Sequence, residues 1–541
     1  MNQATQTLEN SVRPHYVTTL SGQLRVWCGG AGPSLVVLPG LVMSAEVTAR
    51  QMVQTFSGWR LTVVELPGIG GSAKIPVRNA EEVASTIFTA LDLLAIPRTV
   101  LVAFDLATPI ALALSHLLPE GTELISLDVD KAKDWVAGAQ ALPSLKLRED
   151  GTHLVALWAH FRNCLMLDSG RPRHIDPHGL SLPADSELDT AVVAAAVNPA
   201  SYSKLWTVCA LALQSALVTE NEALKANRSL LTASSLKQIL ENLVKGHSPI
   251  FPRTASSMAT PDLRNDYLQT SSGRVHLRRV GNGPKTLLFF HSAPGSAEPL
   301  EFLMQQLAKG RTVIACDYLG NGDSDKAFGE VDIHSMAQNA IQVADALELE
   351  QVDLFGTHTG ALVALEFALL QPHRVSRVIL EAPPLLDQSF NNEILEKYFP
   401  PLKPDRWGTH LLRAWNMRRD MFLFWPWYRQ SRDAARSLGL PDLKTLHAWT
   451  VGLLKSGHTY HLTYGAAFKY DTRVRLPLLS RPALICAGPA DMLVEGLAIA
   501  RQLAPAGTQV QATPATVWYP GQASAAINAA IAIYENFLSG E

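Results

Sequence analysis

The chain has 541 residues, of which 47% are hydrophobic and 18% are charged, and its net charge is −3. This length predicts at least two large domains with sizeable cores, and the small net charge argues against broad nucleic-acid binding. The sequence lacks any apolar run of about 18 residues or more, so we expect no membrane span. The five cysteines are scattered singly without a C-x-x-C pair, which indicates reduced thiols, a cytoplasmic location and no metal site.

Elements of a parallel sheet come first along the chain. A hairpin-like strand pair that includes Gln23–Cys28 is followed by buried runs at Ser34–Leu38 and Leu61–Leu66. A further apolar run, Val100–Ala107, leads into a helix. Short continuous Val, Ile and Leu runs that alternate with helical stretches predict a parallel sheet covered by helices on both faces.

The second half of the chain repeats this order at a nearly constant offset. Three segments of the first half, Ser34–Leu38, Leu61–Ser72 and Val100–Ala107, match Thr286–Phe290, Thr312–Ser324 and Asp353–Gly360, respectively. This match places His358 opposite Asp105. An internal repeat of this length indicates one structural unit that occurs twice.

The repeat continues past the sheet into helical segments. Gly151–Leu154 has the sequence Gly-Thr-His-Leu, which recurs at Gly408–Leu411, and Trp206 has a counterpart in Trp449. These segments follow the last matched strand in each half. We therefore predict a helical cap in each half.

The two halves then diverge. The second half continues with a buried strand at Arg481–Gly488, a strand near Thr508–Ala512 and a closing helix at Ser524–Leu538. The first half has no equivalents, and it ends in a predicted helix, Ser229–Val244. We predict a truncated domain over residues 1–244, a linker over 245–261 and a complete domain over 262–541, with its cap at about 385–470.

The stretch Val352–Ala361 has a distinctive pattern. A short buried strand ends in Gly356-Thr357-His358-Thr359-Gly360, and an apolar helix begins directly afterwards. Glycines two positions before and two positions after the central residue allow a strand and a helix to pack closely around a sharp turn. His358 takes the central position, at the tip of the turn.

Taken together, these features resemble the α/β-hydrolase superfamily. The matching pieces are His291–Gly295 after the first buried strand, the turn at Asp317–Asp325, the elbow at Gly356–Gly360, and Gly488–Asp491 after a late strand. The resemblance implies an α/β fold: two hydrolase-like domains, each with a mostly parallel sheet flanked by helices and a helical cap. A cap is expected to close over the elbow and to select the substrate.

The family's catalytic residues are only partly present. The resemblance implies an elbow Ser as nucleophile, a late His as base and an acid after a late strand, for which Asp491 has the right position. The elbow residue is His358 instead, and no G-x-S-x-G motif occurs in the chain. The loop before the closing helix, Val517–Ala523, contains no His, and none follows His461. Ordinary serine-hydrolase chemistry is therefore not expected.

Three interpretations of His358 are open. As a general base oriented by Asp491, it could activate water or remove a substrate proton. As a nucleophile, its imidazole could form a covalent adduct. As the remnant of a decayed elbow, it would have no chemical role. For Asp491 the alternative is that it only caps a helix starting near Met492.

The resemblance also implies oxyanion donors and a substrate pocket. By position the donors would be the backbone N–H groups of Ser292 or Ala293 and of Thr359. The cap contributes two further candidates, His410 and the aromatic stretch that contains Trp425 and Trp427. His410 could instead be a structural residue of its helix start, and the tryptophans could be core residues.

Asp105 occupies the elbow position of the first half. The family includes enzymes with an Asp nucleophile at this position. However, the flanking residues are Ala103 and Ala107, Pro109 interrupts the following helix, and the late acid and His are missing. A pseudo-domain that pairs with the active half as an internal pseudo-dimer is the alternative.

The sequence thus predicts a cofactor-independent enzyme with its site in the second half. We expect hydrolysis of an ester, a thioester or a C–C bond in a small, largely apolar carbonyl compound, with His358 as base. A lyase or isomerase step by proton transfer is one alternative, and a non-catalytic binding or scaffold protein is another. The expected partner is a small-molecule substrate, with no nucleic acid and no membrane, whereas further oligomerisation stays open.

Overall fold

The computed structural model describes residues 12–96, 100–119, 122–127, 142–168, 174–175, 183–218, 262–326 and 329–540, together with residues 129, 132 and 135. These residues form two compact units. The first lies within residues 1–148, 152–261 and 404–408, and the second within 149–151, 262–403 and 409–541. The predicted helix Ser229–Val244 and the predicted linker 245–261 lie outside the described residues.

The first unit contains a mostly parallel sheet. Its strands are β1 (Arg13–Thr19), β2 (Gly22–Gly29), β3 (Ser34–Leu38), β4 (Arg60–Val64), β5 (Val100–Phe104) and β6 (Glu123–Leu127). They run in the order β1-β2-β4-β3-β5-β6, in which the pairs β1/β2 and β2/β4 are antiparallel and the other pairs are parallel. The helices between these strands are α1 (Ala45–Thr55), α2 (Ala80–Leu93) and α3 (Thr108–Ser115).

Helices follow the sheet of the first unit, as the predicted cap requires. They are α4 (Thr152–Met166), α5 (Asp185–Ala196) and α6 (Pro199–Val218), and a short hairpin, β7 (Leu167–Asp168) with β8 (His174–Ile175), comes after α4. Large aromatic side chains of α4 and α6, among them Trp158, Phe161 and Tyr202, are fully buried. These two helices therefore contribute to a core.

The sheet of the second unit has a larger number of strands. They are β9 (Leu263–Thr270), β10 (Gly273–Val280), β11 (Lys285–Phe290), β12 (Arg311–Cys316), β13 (Val352–Thr357), β14 (Val375–Glu381), β15 (Ala483–Ala487) and β16 (Gln509–Ala512). Their order is β16-β15-β14-β13-β11-β12-β10-β9. The pairs β9/β10 and β10/β12 are antiparallel, and all the others are parallel.

Helices α7 (Glu301–Leu307), α8 (Ile333–Ala346), α9 (Thr359–Leu370), α15 (Gly496–Leu503) and α16 (Ser524–Ser539) flank this sheet. Between β14 and β15 lie the helices of the predicted cap. They are α10 (Gln388–Lys397), α11 (Thr409–Leu423), α12 (Leu443–Lys455), α13 (Tyr460–Lys469) and the short α14 (Thr472–Arg475). Across the parts of the chain that are described, none of the helices is both long enough and apolar enough to cross a membrane.

The apolar runs explain the central strands of the second unit. Every residue of β13 and β15 is buried, and so are the last four residues of β11. Strands without an exposed face are typical of the middle of a parallel sheet that is covered on both sides. In such sheets ligands bind outside the carboxyl ends of the strands, which is where His291, His358 and Asp491 follow β11, β13 and β15.

The first six strands of the second unit follow the same order as the six strands of the first unit, each unit taken by itself. Strands β15 and β16 have no counterpart among the described residues of the first unit. The predicted strand near Thr508–Ala512 is β16, and the predicted closing helix is α16. The predicted α/β architecture with mostly parallel sheets flanked by helices is confirmed.

Candidate active site

A sharp elbow presents His358 between β13 and α9. His358 has φ 50° and ψ −116°, a conformation that non-glycine residues rarely adopt. A Cβ on Gly356 would lie 2.1 Å from the carbonyl oxygen of Gly360, and a Cβ on Gly360 would lie 2.0 Å from that of Phe290. The two glycines are therefore required, because any side chain there would push the strand and the helix apart.

Asp491 lies directly against the imidazole of His358. Nε2 of His358 is 2.9 Å from Oδ2 of Asp491 and 3.1 Å from Oδ1. The carboxylate also accepts the Leu493 N–H at 2.9 Å. Burial alone would raise the pKa of Asp491, but His358, the Leu493 N–H and Arg436 together lower it below its usual value. An ionised carboxylate can only accept a hydrogen bond from Nε2–H, and in a neutral imidazole Nδ1 is then the nitrogen that carries no proton.

Trp518 lies in the loop where the family resemblance implies a catalytic His. Its ring meets the His358 ring edge-on, with centroids 5.3 Å apart. Its Nε1 donates to Oε2 of Glu381 at 2.7 Å, and the Tyr534 hydroxyl donates to Oε1 at 2.7 Å. Burial raises the pKa of Glu381, which is fully buried at the end of β14. Trp518 therefore supplies an apolar wall beside His358 and no second base.

The elbow of the first unit shows how backbone amides of this fold converge on an anion. Asp105 has φ 40°, and its Oδ1 accepts N–H groups from both Leu41, at 3.1 Å, and Leu106. Leu106 follows the elbow residue, and Leu41 is three residues beyond Leu38, which pairs with Ala103. A single carboxylate oxygen is thus held by two amides, as in an oxyanion hole.

The sheet register identifies the corresponding amides in the second unit. Phe290 pairs with Gly356, just as Leu38 pairs with Ala103, so Ala293 corresponds to Leu41 and Thr359 to Leu106. Ser292 and Ala293 line the cavity next to His358, whereas Thr359 is buried at the start of α9. Of the two residues considered for the first donor, the register favours Ala293.

A buried charge network holds the loop that carries Ala293. Oδ1 of Asp317 accepts the Ala297 N–H at 2.8 Å and pairs with Arg278 at 2.7 Å, and His276 lies 2.9 Å from Oδ2. Burial alone would raise the pKa of Asp317, but Arg278 and His276 hold it well below its usual range. Among the described side chains His276, Asp317 and Asp323 cluster like metal ligands. The guanidinium already paired with Asp317 disfavours a cation there.

A cavity of about 400 Å³ opens above His358. Its lining comes from the loop after β11, from the elbow, from the segment between β14 and β15, and from the loop before α16. It includes His291, Ser292, Ala293, Thr357, His358, Tyr398, Arg418, Met421, Phe422, Arg436, Trp449, Trp518 and Tyr519. Phe422, Trp449 and Trp518 form a continuous aromatic wall, with centroids 5.0 and 5.6 Å apart. The cavity suits a small ligand with apolar parts.

Three candidate residues of the cap do not reach this cavity. His410 is buried in the first turn of α11 and is not part of the lining. Nε1 of Trp427 donates to the Tyr398 carbonyl at 3.1 Å, and the Trp425 ring meets that of Tyr398 edge-on at 5.8 Å. Of the two alternatives considered for Trp425 and Trp427, pocket lining or core packing, their contacts with Tyr398 favour packing, and neither residue belongs to the lining of this cavity.

Arg418 and Arg436 line the cavity, and sequence reasoning missed both. For Arg418 a signal was available in α11. Leu411, Trp415 and Phe422 form a buried stripe at helical spacing, and Arg418 lies within that stripe. An arginine in an apolar stripe indicates a buried charge that needs a partner. Arg436 lies outside any helix or strand, and periodicity could not have identified it.

Residues 285–511 match the family model described as alpha/beta hydrolase fold. The chain is 37% identical over 110 residues to the 2-hydroxymuconate semialdehyde hydrolase of Pseudomonas sp. strain CF600. The aligned segment covers 20% of this chain and 39% of that protein. It is 35% identical over 109 residues to the 2-hydroxy-6-oxo-2,4-heptadienoate hydrolase of Pseudomonas putida. That aligned segment covers 20% of this chain and 40% of that protein.

The matched regions thus span about two fifths of these two curated relatives. Among solved structures, epoxide hydrolase A from Mycobacterium thermoresistibile is 21% identical with a TM-score of 0.41, over 51% of this chain and 98% of that one. The family resemblance seen in the sequence is confirmed by the family model. Residues 285–511 are therefore similar to the α/β-hydrolase fold that this model describes.

Proposed function

We propose that the second half of the chain is a hydrolase of small carbonyl compounds that uses His358 as a general base. The observation that carries the proposal is the 2.9 Å contact between Nε2 of His358 and Asp491. A buried carboxylate that orients an imidazole and fixes its tautomer is the base half of a hydrolytic triad. In this chain the His–Asp pair includes the elbow residue itself, His358.

The reaction follows from this arrangement. Nδ1 of His358 takes a proton from a water molecule, and the resulting hydroxide attacks the substrate carbonyl carbon. The negative charge on the carbonyl oxygen is stabilised by the N–H groups of Ala293 and Thr359. When the tetrahedral intermediate collapses, the bond to the leaving group breaks, and the imidazolium of His358 donates the proton that came from water to the leaving group. Every proton is accounted for, and the scheme requires no cofactor.

The relatives support hydrolysis as the reaction class. Both curated relatives are named as hydrolases, and their substrate names contain a semialdehyde or an oxo group. A carbonyl substrate also fits the proposed amide pair beside the base, because two N–H groups can stabilise the negative charge that develops on a carbonyl oxygen.

Proton transfer without hydrolysis is the second candidate. The elbow carries an imidazole instead of a hydroxyl, so a lyase or isomerase step would need only His358 and the two amides. The products separate the two reactions, because hydrolysis in H₂¹⁸O places one ¹⁸O atom in the product acid and isomerisation leaves the carbon skeleton unbroken.

We also infer that the two halves arose by tandem duplication and that the first half is inactive. The shared strand order and the two elbows with positive φ support the duplication. The carboxylate of Asp105 already occupies the amides that a substrate oxyanion would need. An internal pseudo-dimer of the halves, a cytoplasmic location and the absence of other partners stay predictions.

The proposal is tested by comparing wild type with His358→Gln on a panel of aryl esters, thioesters and 1,3-diketones. Glutamine keeps an N–H that can face Asp491 but cannot act as a base. We expect at least a hundredfold loss of turnover, of the size typical for general-base catalysis at about 10²–10⁴, and no labelling of wild type by a fluorophosphonate serine probe. Full activity in the variant, or labelling of the protein, would refute the proposal. Saturable binding of these compounds by wild type without turnover would indicate a binding protein.

A further inference from the structure

We propose that the cavity binds a carboxylate group of the substrate through Arg418 and Arg436, so that the substrate is a small carbonyl compound that is also a carboxylic acid. This inference deepens the proposed function and rests on it, because it assumes that the carbonyl group reacts at His358.

Arg418 is a buried charge whose hydrogen-bond partners in the described part of the chain are all neutral. Its side chain reaches the cavity from α11, and the residue is only 8% exposed. Nη2 donates to the Pro294 carbonyl at 2.7 Å, Nη1 lies 3.5 Å from the sulfur of Met421, and the buried Nε has no acceptor among the described residues. A buried guanidinium without a carboxylate is costly, and an anionic ligand would offset that cost.

Arg436 approaches the same part of the cavity. Its Nη1 donates to the Met421 carbonyl at 2.6 Å, so both guanidinium groups meet Met421. Its Nη2 donates to the Ala490 carbonyl at 3.3 Å, and its guanidinium lies 5.5 Å from the Tyr519 ring centroid. The Nε of Arg436 is also buried without an acceptor in the described part of the chain. Both guanidinium groups thus contact Met421 at the cavity, and their hydrogen-bond partners among the described residues are neutral.

The acidic residues around the cavity do not neutralise these arginines. Glu298 and Asp442 contribute to the lining, but both are exposed, and Asp442 caps α12 by accepting the Thr445 N–H at 2.9 Å. Asp491 is paired with His358, and although the charge of Arg436 contributes to its lowered pKa, the two side chains form no ion pair. Among the described residues no carboxylate forms an ion pair with either arginine. The positive charge inside the cavity is therefore available to a ligand.

The neighbours of Arg418 indicate which anion fits. The planar guanidinium group matches a carboxylate, which it can hold by two parallel hydrogen bonds. Pro294, which accepts a hydrogen bond from Arg418, directly follows Ala293, one of the proposed oxyanion donors. One small molecule can therefore place its carboxylate at Arg418 and its carbonyl at Ala293. The aromatic wall of Phe422, Trp449 and Trp518 would hold its carbon skeleton.

The test is a binding measurement that does not depend on turnover. Using the His358→Gln protein, calorimetry compares two acids, benzoylformate and levulinate, with their methyl esters, which differ only in the charged group. We expect at least one acid to bind about tenfold more tightly than its ester. Adding Arg418→Gln should weaken acid binding by about thirtyfold or more, as for loss of one partner of a buried charge pair, and should change ester binding by less than about twofold.

Arg413→Gln is the matched control. Arg413 lies on the same helix and also donates to a backbone carbonyl, that of Pro401 at 2.8 Å, but it is exposed and does not line the cavity. Its loss should leave acid binding unchanged. Arg436→Gln provides a second test should Arg418→Gln fail to fold, and each variant is checked by its thermal melting curve.

The inference is overturned if neither acid is preferred over its ester, or if Arg418→Gln and Arg436→Gln bind acids as Arg413→Gln does. Inorganic phosphate that competes as strongly as the acids would overturn the assignment to a carboxylate. A preference for acids together with full turnover by His358→Gln would leave the anion site standing and refute the proposed base. If His358→Gln loses turnover but neither acid is preferred over its ester, the proposed base stands and the anion site is refuted.

Discussion

Nε2 of His358 lies 2.9 Å from Oδ2 of Asp491, although 133 positions separate the two residues in the sequence. Replacing Asp491 with Asn should lower kcat by about 10²–10⁴-fold, because an amide no longer fixes the Nε2–H tautomer or stabilises the imidazolium. Steady-state kinetics should show the loss in kcat with little change in KM. Asp442→Asn, at an exposed position of the cavity lining, is the control and should leave kcat unchanged. A loss below about threefold in Asp491→Asn would contradict the role assigned to the pair.

The same pair should make stability depend on acid pH. Although burial alone would raise it, the pKa of Asp491 is lowered in the folded protein by His358 and the Leu493 N–H. An acid with a lowered pKa stabilises the fold above its unfolded pKa of about 3.9, and this contribution disappears as the pH falls through the folded value. The melting temperature of wild type should therefore exceed that of Asp491→Asn near pH 7. The difference should shrink below about pH 4, and an equal difference at all pH values would count against the assigned shift.

Asp105 should matter for stability and not for turnover. Its buried carboxylate accepts the Leu41 and Leu106 N–H groups, so Asp105→Ala leaves two buried donors unsatisfied. We expect a cost of about 1–3 kcal/mol in the free energy of unfolding of the first unit. The kcat of the second-half site should stay within about twofold of wild type. Loss of turnover in a variant that remains folded would show that the first half takes part in catalysis.

The elbow should not tolerate a side chain at Gly356. A Cβ there would lie 2.1 Å from the carbonyl oxygen of Gly360, a distance that forces β13 and α9 apart. Gly356→Ala should destabilise the second unit by about 4 kcal/mol or more, in the range of severe core substitutions. Gly465→Ala in α13 is the control, since its Cβ would meet only Leu395 at 3.7 Å and Phe399 at 3.9 Å. That change should be neutral or stabilising by up to about 1 kcal/mol. Similar melting curves for the two variants would contradict the steric argument.

Much of the fold could be predicted from the sequence because central parallel strands leave a simple pattern. The fully buried strand β15 appears as a continuous apolar run, and the glycines around His358 indicate the sharp turn between β13 and α9. The meeting of His358 with Asp491 was expected from their positions after two such strands. Carboxyl ends of parallel strands lie at one edge of a sheet, so the topology brings these side chains together.

The side chains of the predicted cap were harder to place, because composition indicates that a residue is buried but not whether its side chain faces the cavity. Trp425 and Trp427 are apolar and aromatic, as pocket residues often are, but they face Tyr398. Trp518 lines the cavity although it belongs to a loop without periodicity. For Arg418, the sequence indicates burial, because the residue lies in the buried stripe of α11. Its position at the cavity could not be predicted, because it depends on a contact with Pro294, which is distant in the sequence.

The Asp105 carboxylate has a consequence for any ligand that enters the first half. A tethered group competes for its own amides at an effective concentration that can reach roughly 10⁵ M in well-oriented cases. A carbonyl compound at millimolar concentration could not displace it from the Leu41 and Leu106 N–H groups. If the first half is the inactive copy that we infer, the Asp105 side chain acts as an intramolecular competitor for these two N–H groups, and replacing it is the smallest change that would free them.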